Sequence, residues 1–314
     1  MSKFKLIFIT LISFILCFAA FTGCNANTGL KSDSLMTIDG KDVSKDEYLV
    51  YLNEAVRNFE EIGGPDIWDT DFDGKSAFDT AKESALSSLK MVKLTIMRSE
   101  RNDVSLNDEE IASSEKEAQS YFEQYNGFTS LDVIKQVMEE KALYNKTREK
   151  ILSEYSVSMS GFDKFLKEYK ADFTEITYSV IYTQNIETAQ EVLNKASQGT
   201  DFNTLLQEYK LDNNIYSLTD ELSNISDIFT DTENIQSGTT AGPVETDKGY
   251  AVYYVEDIKT VNDDDIRQSA QEAYEEREKS KVFENLLATW EKETSIEINT
   301  DVYNSITKDN IDME

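Results

Sequence analysis

The sequence predicts an α+β protein: a mostly helical domain assembled from both ends of the chain, with a smaller α+β domain inserted between them. Three observations predict it. Only 2 Pro and 12 Gly occur in 314 residues, so long helices run without their commonest interruptions. From Ser44 to about Tyr169 apolar residues recur at helical spacing, whereas from Ile176 the period becomes that of strands. Helical spacing then returns in Phe283, Leu286, Leu287 and Trp290, an i, i+3, i+4, i+7 stripe that needs a partner outside the inserted block.

Composition removes several kinds of function. Hydrophobic residues make up 39% and charged residues 29%, enough for packed cores. With 31 Lys+Arg against 60 Asp+Glu the net charge is −29, and no nucleic acid is expected as a partner. There is no His, so Ser-His and Cys-His nucleophile systems are excluded. Two Cys allow neither a disulfide framework nor a zinc cage, and no cofactor is expected.

Taken in order, residues 1–23 are a signal peptide. Lys3 and Lys5 give a positive start, and Leu6 to Phe21 is a charge-free apolar run shorter than a membrane span. It ends in Phe21-Thr22-Gly23-Cys24, which looks like a bacterial lipoprotein signal with Cys24 as the lipidated residue, although Phe21 stands where that pattern has Leu. A plain secretory signal or an uncleaved anchor are the alternatives, and all three export the protein. The expected place is the extracytoplasmic face of the cell membrane, held by acyl chains, because so acidic a chain gains nothing from anionic lipid. Residues 24–34 read as a polar tether.

The N-terminal helical domain is expected over residues 35–173. Asp39-Gly40 between β-prone runs is a hairpin signal, and Ser44 to Glu47 has capping-box spacing. Helices follow from about Ser44 to Gly63, Ser76 to Glu100, Asn107 to before Gly127, Ser130 to Tyr155 and Gly161 to Tyr169. The α+β domain is expected over 174–259: a strand at Ile176–Tyr182, a helix at Asn185–Ser197, a shorter one capped by Asp201, and a strand, turn and strand from Gly242 to Val255. Tyr253 and Tyr254 fall on opposite faces of the last strand, so one of them is expected to be exposed. Residues 260–314 supply a long helix and a short strand at Ser295–Asn299 that complete the first domain, with Leu35–Ile38 and Ile296–Ile298 close together.

Asp69, Asp71 and Asp73, followed by Gly74, match the start of a calcium loop. Thr80 stands where that loop needs a bidentate Glu, and the alternative is an acidic loop beside the N-terminus of the next helix. Asp263 to Asp265 read as a helix start rather than a metal site.

The block 174–259 resembles a parvulin-type peptidyl-prolyl isomerase domain. The matching pieces are Tyr178-Ser179-Val180-Ile181, Ala189 to Gly199 leading into Asp201-Phe202, Tyr209 to Asp212, and Gly238 through Gly242-Pro243-Val244 to Gly249-Tyr250-Ala251. The mature chain as a whole is similar to the lipid-anchored PrsA foldases and the SurA chaperones. That resemblance implies a helical chaperone domain flanking a parvulin domain, with unfolded or nascent secreted proteins as partners; no oligomeric state is implied. It also implies a polar pocket floor of two His, an Asp or Cys, and a Thr or Ser. Here Asp212 and Thr246 match, while Val180 and Ala251 stand in the two His positions, and the glycine-rich loop of the family is replaced by Ile215 to Leu222. Val180 and Ala251 bring no hydrogen-bonding group. The expectation is a folding factor with isomerase activity absent or weak; an active isomerase, or a structural lipoprotein with one fixed partner, are the alternatives.

Overall fold

In the computed structural model, which describes residues 34–125, 128–209, 214–229 and 234–311, the chain divides into two units. One is made of residues 34–156 and 279–311, the other of residues 157–278. The signal peptide, Cys24 and nearly all of the tether lie outside the described residues. No helix among the described residues is long and apolar enough to cross a membrane.

The first unit begins with β1 (Ser34–Ile38) and β2 (Lys41–Ser44), antiparallel about a turn in which Asp39 and Gly40 both take positive φ, as a tight hairpin of matching twist demands. The other edge of β1 pairs antiparallel with β9 (Ile296–Ile298), with Met36 opposite Ile298, so both chain ends share one small sheet. Ser44 caps α1 (Lys45–Gly63) by accepting from the Glu47 N–H at 3.1 Å. The second half of the expected capping box is missing, because the Glu47 carboxylate turns inward to Lys93. Gly64, at φ 68°, ends the helix.

The hairpin β3 (Asp71–Phe72) and β4 (Lys75–Ser76) leads into α2 (Ala77–Ile96), which is followed by α3 (Asp108–Gln124) and α4 (Leu131–Ser153). A full capping box at Asn107 and Glu110 opens α3. Tyr48, Leu52, Leu89, Ile134 and Val137 centre the core shared by α1, α2 and α4. The long helix α8 (Asp264–Glu293) contributes its C-terminal half here: Phe283 and Leu287 pack with Leu94 of α2 and Leu152 of α4, and Arg98 lies 4.9 Å over the Trp290 ring. A further short helix, α9 (Thr300–Asn304), has no strong sequence signal. Lys82 fastens this helix and the segment after it by donating to the carbonyls of Tyr303 and Ile306, each at 3.1 Å.

The second unit holds a four-stranded antiparallel sheet of β5 (Glu175–Thr183), β6 (Ile215–Glu221), β7 (Thr240–Thr246) and β8 (Gly249–Lys259) in the order β6-β5-β8-β7. Two helices, α6 (Ile186–Ser197) and α7 (Phe202–Glu208), capped by Asn185 and Asp201, pack Val192, Leu205 and Leu206 on Ile181 and Val252. The β7–β8 turn needs Gly249: its φ is 107°, and a Cβ there would lie 2.3 Å from the Thr183 carbonyl oxygen. β6 is an addition to the expected elements, formed from a stretch that reads as polar.

The units divide at 156/157 and 278/279 rather than at the expected 173/174 and 259/260. The reason is an aromatic cluster. Phe162 and Phe165 of α5 (Phe162–Glu168) pack on Ala270 and Tyr274 of α8, and the Tyr274 hydroxyl donates to the Ser158 carbonyl at 3.1 Å. With its helical body built from both chain ends and its inserted α+β element, the fold class is the one the sequence predicts.

Candidate functional site

The open question is the face of the sheet opposite α6 and α7. Strand alternation places Tyr178, Val180 and Tyr182 of β5 on that face, together with Ala251, Tyr253 and Val255 of β8. The register sets Tyr178 opposite Val255, Val180 opposite Tyr253, and Tyr182 opposite Ala251. Val180 and Ala251 are therefore diagonal neighbours rather than a facing pair, and both are wholly buried. Thr246 does not join them. Its hydroxyl donates to the Gly249 carbonyl at 3.0 Å and accepts from the Lys248 N–H at 3.2 Å, so it serves the β7–β8 turn. Asp212 lies outside the described residues.

The floor is not simply apolar. Three tyrosines surround Val180: Tyr253 stands opposite it, and Tyr178 and Tyr182 precede and follow it on the same face. The rings of Tyr178 and Tyr253 are 6.0 Å apart. None of the three hydroxyls has a hydrogen-bond partner among the described residues, whereas the backbone N–H of Tyr182 donates to Asn214 Oδ1 at 3.0 Å. Burial, reinforced by Asp220, pushes the Tyr178 phenol up to about 12, and burial also raises Tyr253. Both are thus protonated donors at neutral pH. Phe229 closes the cluster edge-on to Tyr253 at 6.5 Å, beside Leu222 and Ile225.

Neither Tyr253 nor Tyr254 is exposed, contrary to expectation. Tyr254 stacks on Phe202 of α7 at 4.8 Å on the other face, because both faces of β8 are covered.

The acidic loop does not form a cage. Asp69 ends a short 3₁₀ turn, and Asp73, at φ 54°, sits with Gly74 at the β3–β4 turn. Asp71 spends its Oδ1 on the Gly74 N–H at 2.6 Å. This tight hairpin brings Ser76 to the N-cap of α2, where its hydroxyl accepts from the Asp79 N–H at 3.1 Å. Among the described residues no group of three or more His, Cys, Asp or Glu is placed to hold a metal ion.

Exposed apolar residues lie in this loop and at the end of α1. Phe59 and Trp68 stack at 6.1 Å, Phe72 meets Phe59 edge-on at 6.0 Å, and Ile62 and Phe72 remain 55% and 38% exposed. Deeper in the unit Lys93 bridges Glu47 of α1 and Glu140 of α4, and the Gln136 amide donates to both carboxylates. Burial holds the Glu47 carboxyl above its ordinary value, against the opposing pull of Lys93. This cluster is internal and ties three helices together.

Residues 1–157 match the family model of the SurA-like N-terminal domain. The foldase protein PrsA of Caldanaerobacter subterraneus subsp. tengcongensis is 22% identical over 262 residues, spanning 81% of this chain and 83% of the relative. Among solved structures, one of two SurA-like chaperones of Campylobacter jejuni aligns over 85% of this chain and 99% of its own, at 14% identity and a TM-score of 0.38. The peptidylprolyl isomerase PrsA of Bacillus cereus aligns over 90% and 99%, at 16% identity and a TM-score of 0.36.

Proposed function

The chain belongs to the SurA-like N-terminal domain family, among the PrsA/SurA-like foldases, and from that premise we propose that it is an extracytoplasmic folding factor that holds unfolded secreted clients at the membrane. The family match over the first half of the chain carries this reading. The exposed apolar surface at Ile62 and Phe72 supports it, since such surface on a soluble unit marks an interaction site. Cys24 is the proposed lipid attachment point, residues 1–23 the signal and 24–34 the tether.

In the same reading isomerase activity is absent or weak. Prolyl isomerisation is rotation about a bond with a barrier of about 18–20 kcal/mol, and catalysis requires groups that favour the twisted amide over the planar one. Val180 and Ala251 contribute no such group, and Thr246 is engaged in its turn. One observation favours the second reading, an active isomerase. Among the described residues the hydroxyls of Tyr178, Tyr182 and Tyr253 have no partner and stand as donors beside a buried apolar floor, and a donor aimed at the rotating amide lowers its barrier. Two assays on the full chain separate them. Suppression of aggregation of several unrelated unfolded proteins, without acceleration of cis/trans exchange in prolyl peptides, supports the first. Acceleration that falls on Tyr253→Phe supports the second, and failure to suppress aggregation of any client removes the chaperone reading.

A further inference from the structure

The two edges of the four-stranded sheet are built differently. β7 is a protected edge: it contains Pro243, which has no N–H, its pairing with β8 is interrupted by a bulge between Ala241 and Val244, and α6 packs beside it. β6 has one of these devices, an irregularity in its ladder to β5 between Ile215 and Leu218, but neither a Pro nor a packed helix. It contains no Pro, Gly, Lys or Arg, it pairs with β5 on one side, and no described residue pairs with the other. Tyr216 and Leu218 on it are 45% and 43% exposed.

The backbone parity of this edge follows from its neighbours. Leu222 N–H donates to the Thr174 carbonyl at 2.8 Å, so the alternation directs the polar backbone of Asp220 and Leu218 toward β5. The backbone groups of Glu221 and Thr219 then face outward, and the irregularity between Leu218 and Ile215 ends the regular alternation there. In agreement, Thr177 and Thr219 oppose each other with hydroxyls 2.9 Å apart, the close side-chain approach of a pair that exchanges no backbone bond. The outward N–H of Glu221 is already taken by Asp220 Oδ1 at 2.8 Å. That leaves the N–H and carbonyl of Thr219 and the carbonyl of Glu221 open, beside the exposed Leu218.

We propose that the outer edge of β6 is a docking strand for an extended, positively charged segment of a client polypeptide, which adds to the sheet antiparallel or parallel to β6. Backbone hydrogen bonds at Thr219 and at the Glu221 carbonyl hold it, and the exposed Leu218 and Tyr216 meet its apolar side chains. Charge selects the occupant. Residues 214–229 contain Asp220, Glu221 and Asp227 and no cation, the Glu256 carboxylate reaches Ser217 at 3.2 Å, and Lys259 is engaged by Glu175 at 3.0 Å. A second copy of this chain, itself at net charge −29, is repelled where a cationic segment is attracted. The proposal rests on the client-holding reading above and gives it a second, strand-based contact.

The test uses the full chain and a short fluorescein-labelled peptide of alternating lysine and valine, with a glutamate–valine peptide as control. The cationic peptide is expected to bind and to slow amide exchange at Thr219, while the acidic one does neither. Thr219→Pro removes an outward N–H without touching the ladder to β5, and is expected to weaken binding roughly tenfold, the scale of one forgone backbone hydrogen bond. Should that variant melt early, Leu218→Lys places a repelling charge on the same exposed edge and is expected to weaken binding likewise. Unchanged affinity in a folded variant, or binding without slowed exchange at Thr219, overturns the proposal. So does concentration-dependent self-association that Thr219→Pro abolishes, which assigns the edge to a second copy. Aggregation suppression is measured on the wild type in parallel: its presence with an unprotected edge overturns this inference alone, and its absence overturns the chaperone reading.

Discussion

Replacing Lys93 by Met removes the cation from a buried cluster while keeping most of its aliphatic volume. The Lys93, Glu47 and Glu140 side chains are 12%, 6% and 18% exposed, and they join α2, α1 and α4. Without the ammonium two carboxylates remain in a poorly solvated site. Removing one partner of a buried ion pair costs about 3–5 kcal/mol, and the lower end applies here, about 3 kcal/mol, because the Gln136 amide still donates to both carboxylates. The deficit is pH-dependent in a fixed direction. Burial already raises the Glu47 carboxyl above its ordinary value of 4.5 and Lys93 holds it down, so losing Lys93 raises it further. A carboxyl whose folded value exceeds its unfolded value favours the folded state when protonated. The deficit is therefore largest above the raised folded value, at neutral to mildly alkaline pH, and shrinks as pH falls toward 4.5. Urea unfolding followed by tyrosine and tryptophan fluorescence at neutral and mildly acidic pH measures this, together with aggregation suppression at each pH. A Lys93→Met protein as stable as wild type at neutral pH, or one whose deficit grows on acidification, refutes the account of the cluster.

Phe283→Ala is expected to cost about 3–5 kcal/mol by opening a cavity between α8 and Leu94 and Leu152, read as an earlier thermal transition. Gly249→Ala is expected to destabilise the sheet by at least the 1–3 kcal/mol typical of a strained backbone residue, with earlier local amide exchange in β7 and β8 as the signature. Cys24→Ala is expected to move the protein from the membrane to the soluble fraction; equal distribution of the two proteins refutes lipidation at Cys24.

How much was legible depended on how local the signal was. The reversal at Asp39-Gly40, the stop at Gly64, the cap at Asn107 and the strand at Ile176–Tyr182 are written in neighbouring residues, and each appears in the structure. The stripe at Phe283, Leu287 and Trp290 announced that a partner was needed, and Leu94 and Leu152 meet it. β6 was hidden because an edge strand with exposed Tyr216 and Leu218 has no buried face, and so lacks the alternation by which strands are recognised. The pocket was legible only in part. The loss of polar groups at Val180 and Ala251 is a sequence fact, but the phenols that surround them come from strand register, which no local pattern records.

The amino-acid sequence by itself determined where helices and strands start, stop and change period, and that both chain ends serve one body, because caps, turns and apolar periodicity act over a few residues. Only the tertiary structure decided which carboxylate completes a cap and which turns inward to a lysine, which aromatic residues group with α8, and which sheet edge stays open. Those outcomes depend on contacts between residues up to a hundred and more positions apart, where long-range packing overrides the local preference.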